Sequence, residues 1–83
     1  MKLLHFTAEW CGPCKMMKPM IAKVVEEHPE IEYVQIDVDE SPETARDYNV
    51  MSVPTFILTH GEFTTTAIGG MTKNQFLTAL GIV

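Results

Sequence analysis

The sequence is short of cysteine, of positive charge and of long apolar runs, and each shortage removes a class of protein. Lysine and arginine number 6 against 11 aspartates and glutamates, for a net charge of −5. No basic cluster stands out, so a nucleic-acid partner has no electrostatic footing. The apolar run at the N-terminus, Leu3-Leu4, is far too short for a signal peptide or a membrane span, and later runs are broken by charge or proline. That excludes a membrane role and points to the cytosol, where structural disulfides are rare. Cysteine occurs 2 times in 83 residues. The pair is so close in sequence that a disulfide between them adds little stability by constraining the unfolded chain, and its purpose is chemical. No repeat, linker or low-complexity tract interrupts the chain. What is present is 46% apolar residues, enough for one packed domain over residues 1–83 and too many for a disordered segment.

Strand and helix signals alternate along the chain. Leu3 to Thr7 reads as a strand. A helix opens at Pro13 and runs to about Glu27, with Met16, Met17, Met20, Ile21, Val24 and Val25 at helical spacing. Pro19 removes a backbone hydrogen bond inside it and predicts a kink. Ile31 to Val38 is a second strand. Ser41 and Pro42 form an N-cap and first helical position, and Asn49 is a plausible left-handed residue after a short helix ending near Tyr48. Thr55 to Thr59 and Phe63 to Ile68 make a hairpin through His60-Gly61. A last helix spans Thr72 to Leu80, with a capping box from Thr72 to Gln75 and a staple from Met71 to Phe76. The expectation is an α/β fold, β-α-β-α-β-β-α, with a right-handed crossover between the first two strands and a mixed sheet under three helices. Alternation in the first two strands predicts one face covered by two helices and the other thinly covered by the helix from Pro42.

The chemistry sits in Trp10-Cys11-Gly12-Pro13-Cys14, at a strand-to-helix junction. Cys11 falls at the helix N-cap, where unpaired N–H groups and the helix dipole stabilise a thiolate. Gly12 and Pro13 fill the first turn, where the missing proline N–H is harmless. Cys14 lies one turn on, within reach of Cys11. Cys11 would attack a substrate disulfide, and Cys14 would displace the reduced product, leaving a redox-active Cys11–Cys14 disulfide and no need for a bound cofactor. The alternative is half of a zinc site, but His5, His28 and His60 are scattered on separate elements and no second ligand pair is in view; metal ligands are therefore assigned to none.

The segment Phe6 to Lys15 resembles the active-site segment of the thioredoxin family, and the likeness runs from the first strand to the C-terminus. Pro19 corresponds to the proline of the family's motif helix. Val53-Pro54-Thr55 is similar to the loop whose proline is cis and lies against the sulfurs, and Gly69 to the glycine that lets substrate approach. The resemblance implies a thioredoxin-like sheet of strand order 2-1-3-4, without the family's first strand and helix. It implies a substrate surface of Trp10, Gly12, Pro13, Val53, Pro54, Gly69 and Gly70, protein disulfides as substrates, and a thioredoxin reductase, fed by NADPH or ferredoxin, as electron donor. His5 stands where the family usually carries a buried Asp, with Gln35 for the Lys beside it and Thr7 for a frequent Trp. His5 is thus a candidate acid/base; its alternative is a polar residue tolerated on the thinly covered face.

Two other readings compete. Ile68-Gly69-Gly70 is similar to the glutathione-side glycine pair of glutaredoxins, which makes glutathione an alternative reductant, although Gly12-Pro13 between the cysteines speaks against it. A binding subunit, with the cysteines incidental, is the reading from another class. Glu9, Asp37, Asp39 and Glu40 read as solvated charges.

Overall fold

The computed structural model describes residues 1–82. Its elements are β1 (Lys2–Thr7), α1 (Gly12–Glu27), β2 (Glu32–Asp37), α2 (Pro42–Asp47), β3 (Thr55–His60), β4 (Phe63–Ile68) and α3 (Lys73–Leu80). The four strands form one sheet in the order β2-β1-β3-β4. β1 pairs in parallel with β2 and antiparallel with β3, and β3 pairs antiparallel with β4. The mixed sheet with three helices is the architecture that the alternation of patterns predicts.

The faces of the sheet differ. Leu3, Phe56, Leu58 and Ala67 point to one side, where Met17, Ile21 and Val24 of α1 and Phe76 and Leu80 of α3 close over them. Phe56 and Phe76 meet edge to face at 4.9 Å, a geometry favoured by the ring quadrupoles. Leu4, Phe6 and Ile57 point to the other side, where α2 contributes only Ala45 to the buried set. Val34, Ile36, Val38, Val50 and Val53 pack there while staying half-buried. The unequal covering is therefore real.

His5 corrects one expectation. It is fully buried, and it lies on the α1/α3 side: its cross-strand partner is Phe56, against which its ring stacks at 4.5 Å. The alternation of β1 puts it beside Leu3 and Thr7, so it was never on the thinly covered face.

Local signals act as their chemistry dictates, with exceptions. α1 runs unbroken through Pro19. Thr72 accepts a hydrogen bond from the Gln75 N–H and the Gln75 side chain accepts from the Thr72 N–H, completing the capping box. Asn49 takes a left-handed φ of 57°. Gly81 ends α3 at φ 68°, which lets the Ile82 N–H reach the Leu77 carbonyl at 2.9 Å, a left-handed termination that glycine adopts without a Cβ penalty. Ser41 precedes α2, yet its hydroxyl makes no capping bond. Instead Asp37 Oδ1 accepts from the N–H groups of Asp39 and Glu40 and orders the turn into α2.

Candidate active site

β1 delivers the chain to the Ala8–Cys11 turn, which is closed by the Cys11 N–H bonding the Ala8 carbonyl at 3.1 Å. Cys11 then caps α1 in extended conformation, and its Sγ accepts the Cys14 N–H at 3.2 Å. Pro13 occupies the first turn, so one of the orphan donors is simply missing there. Cys11 and Cys14 are joined by a disulfide with their Cα atoms 5.3 Å apart. Cys14 is fully buried, whereas Cys11 retains 3% exposure. Of the two residues, Cys11 is the one that keeps any exposure. Gly12 and Pro13 are exposed above it.

The loop before β3 lies against this pair. Ala8, Cys11 and Cys14 form a small buried cluster with Val38 and Val53 packed on it. The Val53–Pro54 peptide is cis and Pro54 is buried. The Pro54 carbonyl accepts the Gly69 N–H at 2.9 Å, and Thr55 Oγ1 donates to the Ser52 carbonyl at 2.7 Å. Gly69 has φ 96°, a conformation that side chains rarely adopt, and a Cβ built there would meet only open space. Gly70 differs: a Cβ there would come within 3.3 Å of the Pro13 Cβ. Gly70 is the residue that lets the end of β4 approach the redox motif.

Trp10 is 70% exposed and fixed by one bond, its Nε1–H donating to Asp39 Oδ2 at 2.8 Å. It stands between two clefts. One, of about 160 Å³, is lined by Trp10, Val38, Val50, Met51, Ser52 and Val53; Met51 on its rim is 96% exposed. The other, of about 500 Å³, is lined by Glu9, Trp10, Lys15, Asp37, Asp39 and Glu40. Asp39, an exposed charge as its sequence position suggests, thus also holds Trp10, and Asp37 lines the same cleft. The signal for the first would have been an acid placed to meet the sole tryptophan, 29 residues away in sequence. A third cleft, of about 330 Å³, opens beside Thr7, Lys18 and Gln35.

Beneath α1, His5 Nδ1 lies 2.7 Å from the hydroxyl of Tyr33, while its Nε2 is buried without a partner among the described residues. Burial, and secondly the charge of Lys18, lower its pKa from 6.5 to about 4, so the ring is neutral at physiological pH. Burial raises the Tyr33 phenol to about 12. His28 bonds Glu30 at 3.2 Å on the surface, and His60 ends β3 as an exposed residue. Neither reaches the cysteines' cluster. No group of three or more His, Cys, Asp or Glu suited to a metal ion occurs among the described residues.

A cysteine pair joined by a disulfide at the start of a helix, on the edge of a four-stranded mixed sheet's core, defines a dithiol–disulfide type of site. Comparison with known proteins gives the family. The Thioredoxin family profile matches residues 1–81. A thioredoxin of Streptomyces clavuligerus is 40% identical over 76 residues, covering 90% of this chain and 71% of that protein. Mitochondrial thioredoxin-3 of Saccharomyces cerevisiae is 46% identical over 56 residues, 68% of this chain and 44% of that one. The crystal structure of oxidised yeast mitochondrial thioredoxin 3 superposes with a TM-score of 0.87 at 34% identity, over 99% of this chain and 77% of that one. The chain belongs to the thioredoxin family. It spans about half the length of several of the curated relatives it matches.

Proposed function

We propose that residues 1–83 act as one thioredoxin-type unit that reduces protein disulfides, with Cys11 as nucleophile and Cys14 as resolving thiol. The observation that carries this reading is the Cys11–Cys14 disulfide at the N-terminus of α1, with Cys11 the less buried residue of the pair. In the reduced protein the Cys11 thiolate attacks one sulfur of the substrate disulfide. That S–S bond breaks, one substrate sulfur leaves as a thiolate and takes a proton from solvent, and a mixed disulfide remains. Cys14, deprotonated, attacks Cys11 Sγ; the second substrate sulfur leaves with its electron pair, and the protein is left oxidised. The Cys14 N–H aimed at Cys11 Sγ and the dipole of α1 favour the thiolate that each cycle must regenerate.

Trp10, Gly12, Pro13, Val53, Pro54 and Gly69 would receive the substrate strand, with the apolar cleft beside Met51 for a side chain flanking its cysteine. Gly70 would serve indirectly, through its packing on Pro13. His5 would be the buried acid/base for Cys14, in the position that the family usually gives an Asp. The reading puts the protein in a reducing compartment, the cytosol, with a thioredoxin reductase linked to NADPH or ferredoxin returning the electrons. Glutathione is the less favoured donor, since the relatives reported above are thioredoxins.

The test is reduction of a protein disulfide such as insulin, with NADPH and thioredoxin reductase in one arm and glutathione with its reductase in the other. Turnover in the first arm, its loss in Cys11→Ser, and a substrate trapped on Cys11 by Cys14→Ser support the reading. A double Cys→Ser variant that retains biological function would overturn it in favour of a binding subunit.

A further inference from the structure

We propose that Tyr33 is a positioning residue that holds His5 as its Nδ1–H tautomer, leaving Nε2 as a buried proton acceptor for Cys14. The inference rests on the disulfide-reductase reading above and adds a residue to it. Three observations carry it. The Tyr33 hydroxyl and His5 Nδ1 are 2.7 Å apart, so one of them donates to the other. His5 is completely buried and its Nε2 meets no partner among the described residues. The ring is clamped flat against Phe56, so it cannot turn to exchange its nitrogens without breaking that stack.

Two arrangements satisfy the 2.7 Å contact. If Tyr33 donates, Nε2 must carry the ring proton, and a buried N–H is left with nothing to bond. If Nδ1 donates, Nε2 presents only a lone pair. Orphaned buried N–H groups are the rarer defect in proteins, and Tyr33, only partly buried, can still turn its own proton outward to water. The second arrangement is favoured. The partner of one imidazole nitrogen thereby decides the state of the other.

The surroundings suit a base that works only when called upon. β2 contributes Tyr33, α1 contributes the charge of Lys18, and β3 contributes the ring of Phe56. With the disulfide closed, burial and the charge of Lys18 keep the ring neutral. In the mixed disulfide, the Cys14 S–H proton passes to Nε2. The thiolate's electron pair then forms the bond to Cys11 Sγ, the Cys11–substrate bond breaks, and the leaving sulfur takes the pair. The imidazolium afterwards loses its proton to solvent.

Two measurements test this. Nitrogen-15 NMR of histidine-labelled oxidised protein should show His5 protonated at Nδ1 and bare at Nε2 at neutral pH, with that preference lost in Tyr33→Phe. The wild-type spectrum needs no activity and stands even if the variant fails to fold. In stopped flow, reduced protein mixed with dithiobis(nitrobenzoate) releases one thionitrobenzoate on attack by Cys11 and a second on attack by Cys14. Tyr33→Phe should slow the second phase by about tenfold, as a partial loss of general-base assistance. It should also alter the pH profile of that phase, leave the first phase unchanged, and have no effect in a His5→Gln background. An Nε2–H tautomer in the wild type overturns the proposal, as does a Tyr33→Phe variant that merely melts earlier with an unaltered second phase. Failure of the wild type to reduce insulin would instead sink the function proposed above.

Discussion

The two faces of the sheet solve opposite problems with the same strands. Towards α1 and α3, large side chains close completely over Leu3, His5 and Phe56, and that burial keeps an imidazole neutral. Towards α2, a six-residue helix supplies one buried alanine, and five valines and isoleucines stay half-covered. The thick face supports the redox helix from below. The thin face leaves the Val50–Val53 loop free to border an open cleft beside Trp10. Rigidity and access are thus divided between opposite sides of a single layer, and Cys11 sits where they meet.

That division can be broken most severely at the sulfur itself. Cys11→Ser should abolish insulin reduction while leaving the thermal melt of the reduced protein nearly unchanged, because a serine fits the same cap. Next in size is the thick face: Phe76→Ala should destabilise the fold by about 3–5 kcal/mol in urea titration, the penalty of an aromatic-sized cavity. On the thin face, Val34→Ala should cost only about 1 kcal/mol, since that side chain is half-exposed and little cavity is left. Equal losses at the two positions would contradict the contrast.

The next prediction concerns pH. His5 has a folded pKa of about 4 against 6.5 unfolded, so between those values the unfolded chain binds the extra proton. Its contribution is a stability that rises with pH: intact above pH 6.5, and reduced by about 3 kcal/mol on acidification to pH 4. His5→Gln should remove that part of the acid slope in urea titrations run across the window. The smallest effect is expected at Asp39. Asp39→Ala frees the indole of Trp10, and should raise the KM for insulin by about threefold, the scale of one exposed hydrogen bond, with kcat unchanged.

Local chemistry was legible and cross-strand chemistry was not. The Cys-Gly-Pro-Cys turn, the Thr72 capping box and the hairpin at His60-Gly61 all depend on residues within a few positions of each other, so spacing alone announces them. The order of elements followed from the change between periods of two and of three to four. The position of His5 against Tyr33 depends on a parallel register that pairs Leu3 with Tyr33, and nothing within either strand encodes that register. The Trp10–Asp39 bond likewise joins two loops set in place by the sheet. Ser41 shows the converse: a residue of the right type stands at the helix start, but Asp37 had already taken over the ordering of that turn.

The proposed chemistry requires the start of α1 to turn Cys11 into a thiolate at neutral pH. Titrating the thiolate ultraviolet absorbance of reduced protein carrying Cys14→Ser measures this. The expected ionisation lies well below ~8.5, the value of an unperturbed thiol. A Cys11 that titrates at that value or above it would leave the helix start without the role given to it here.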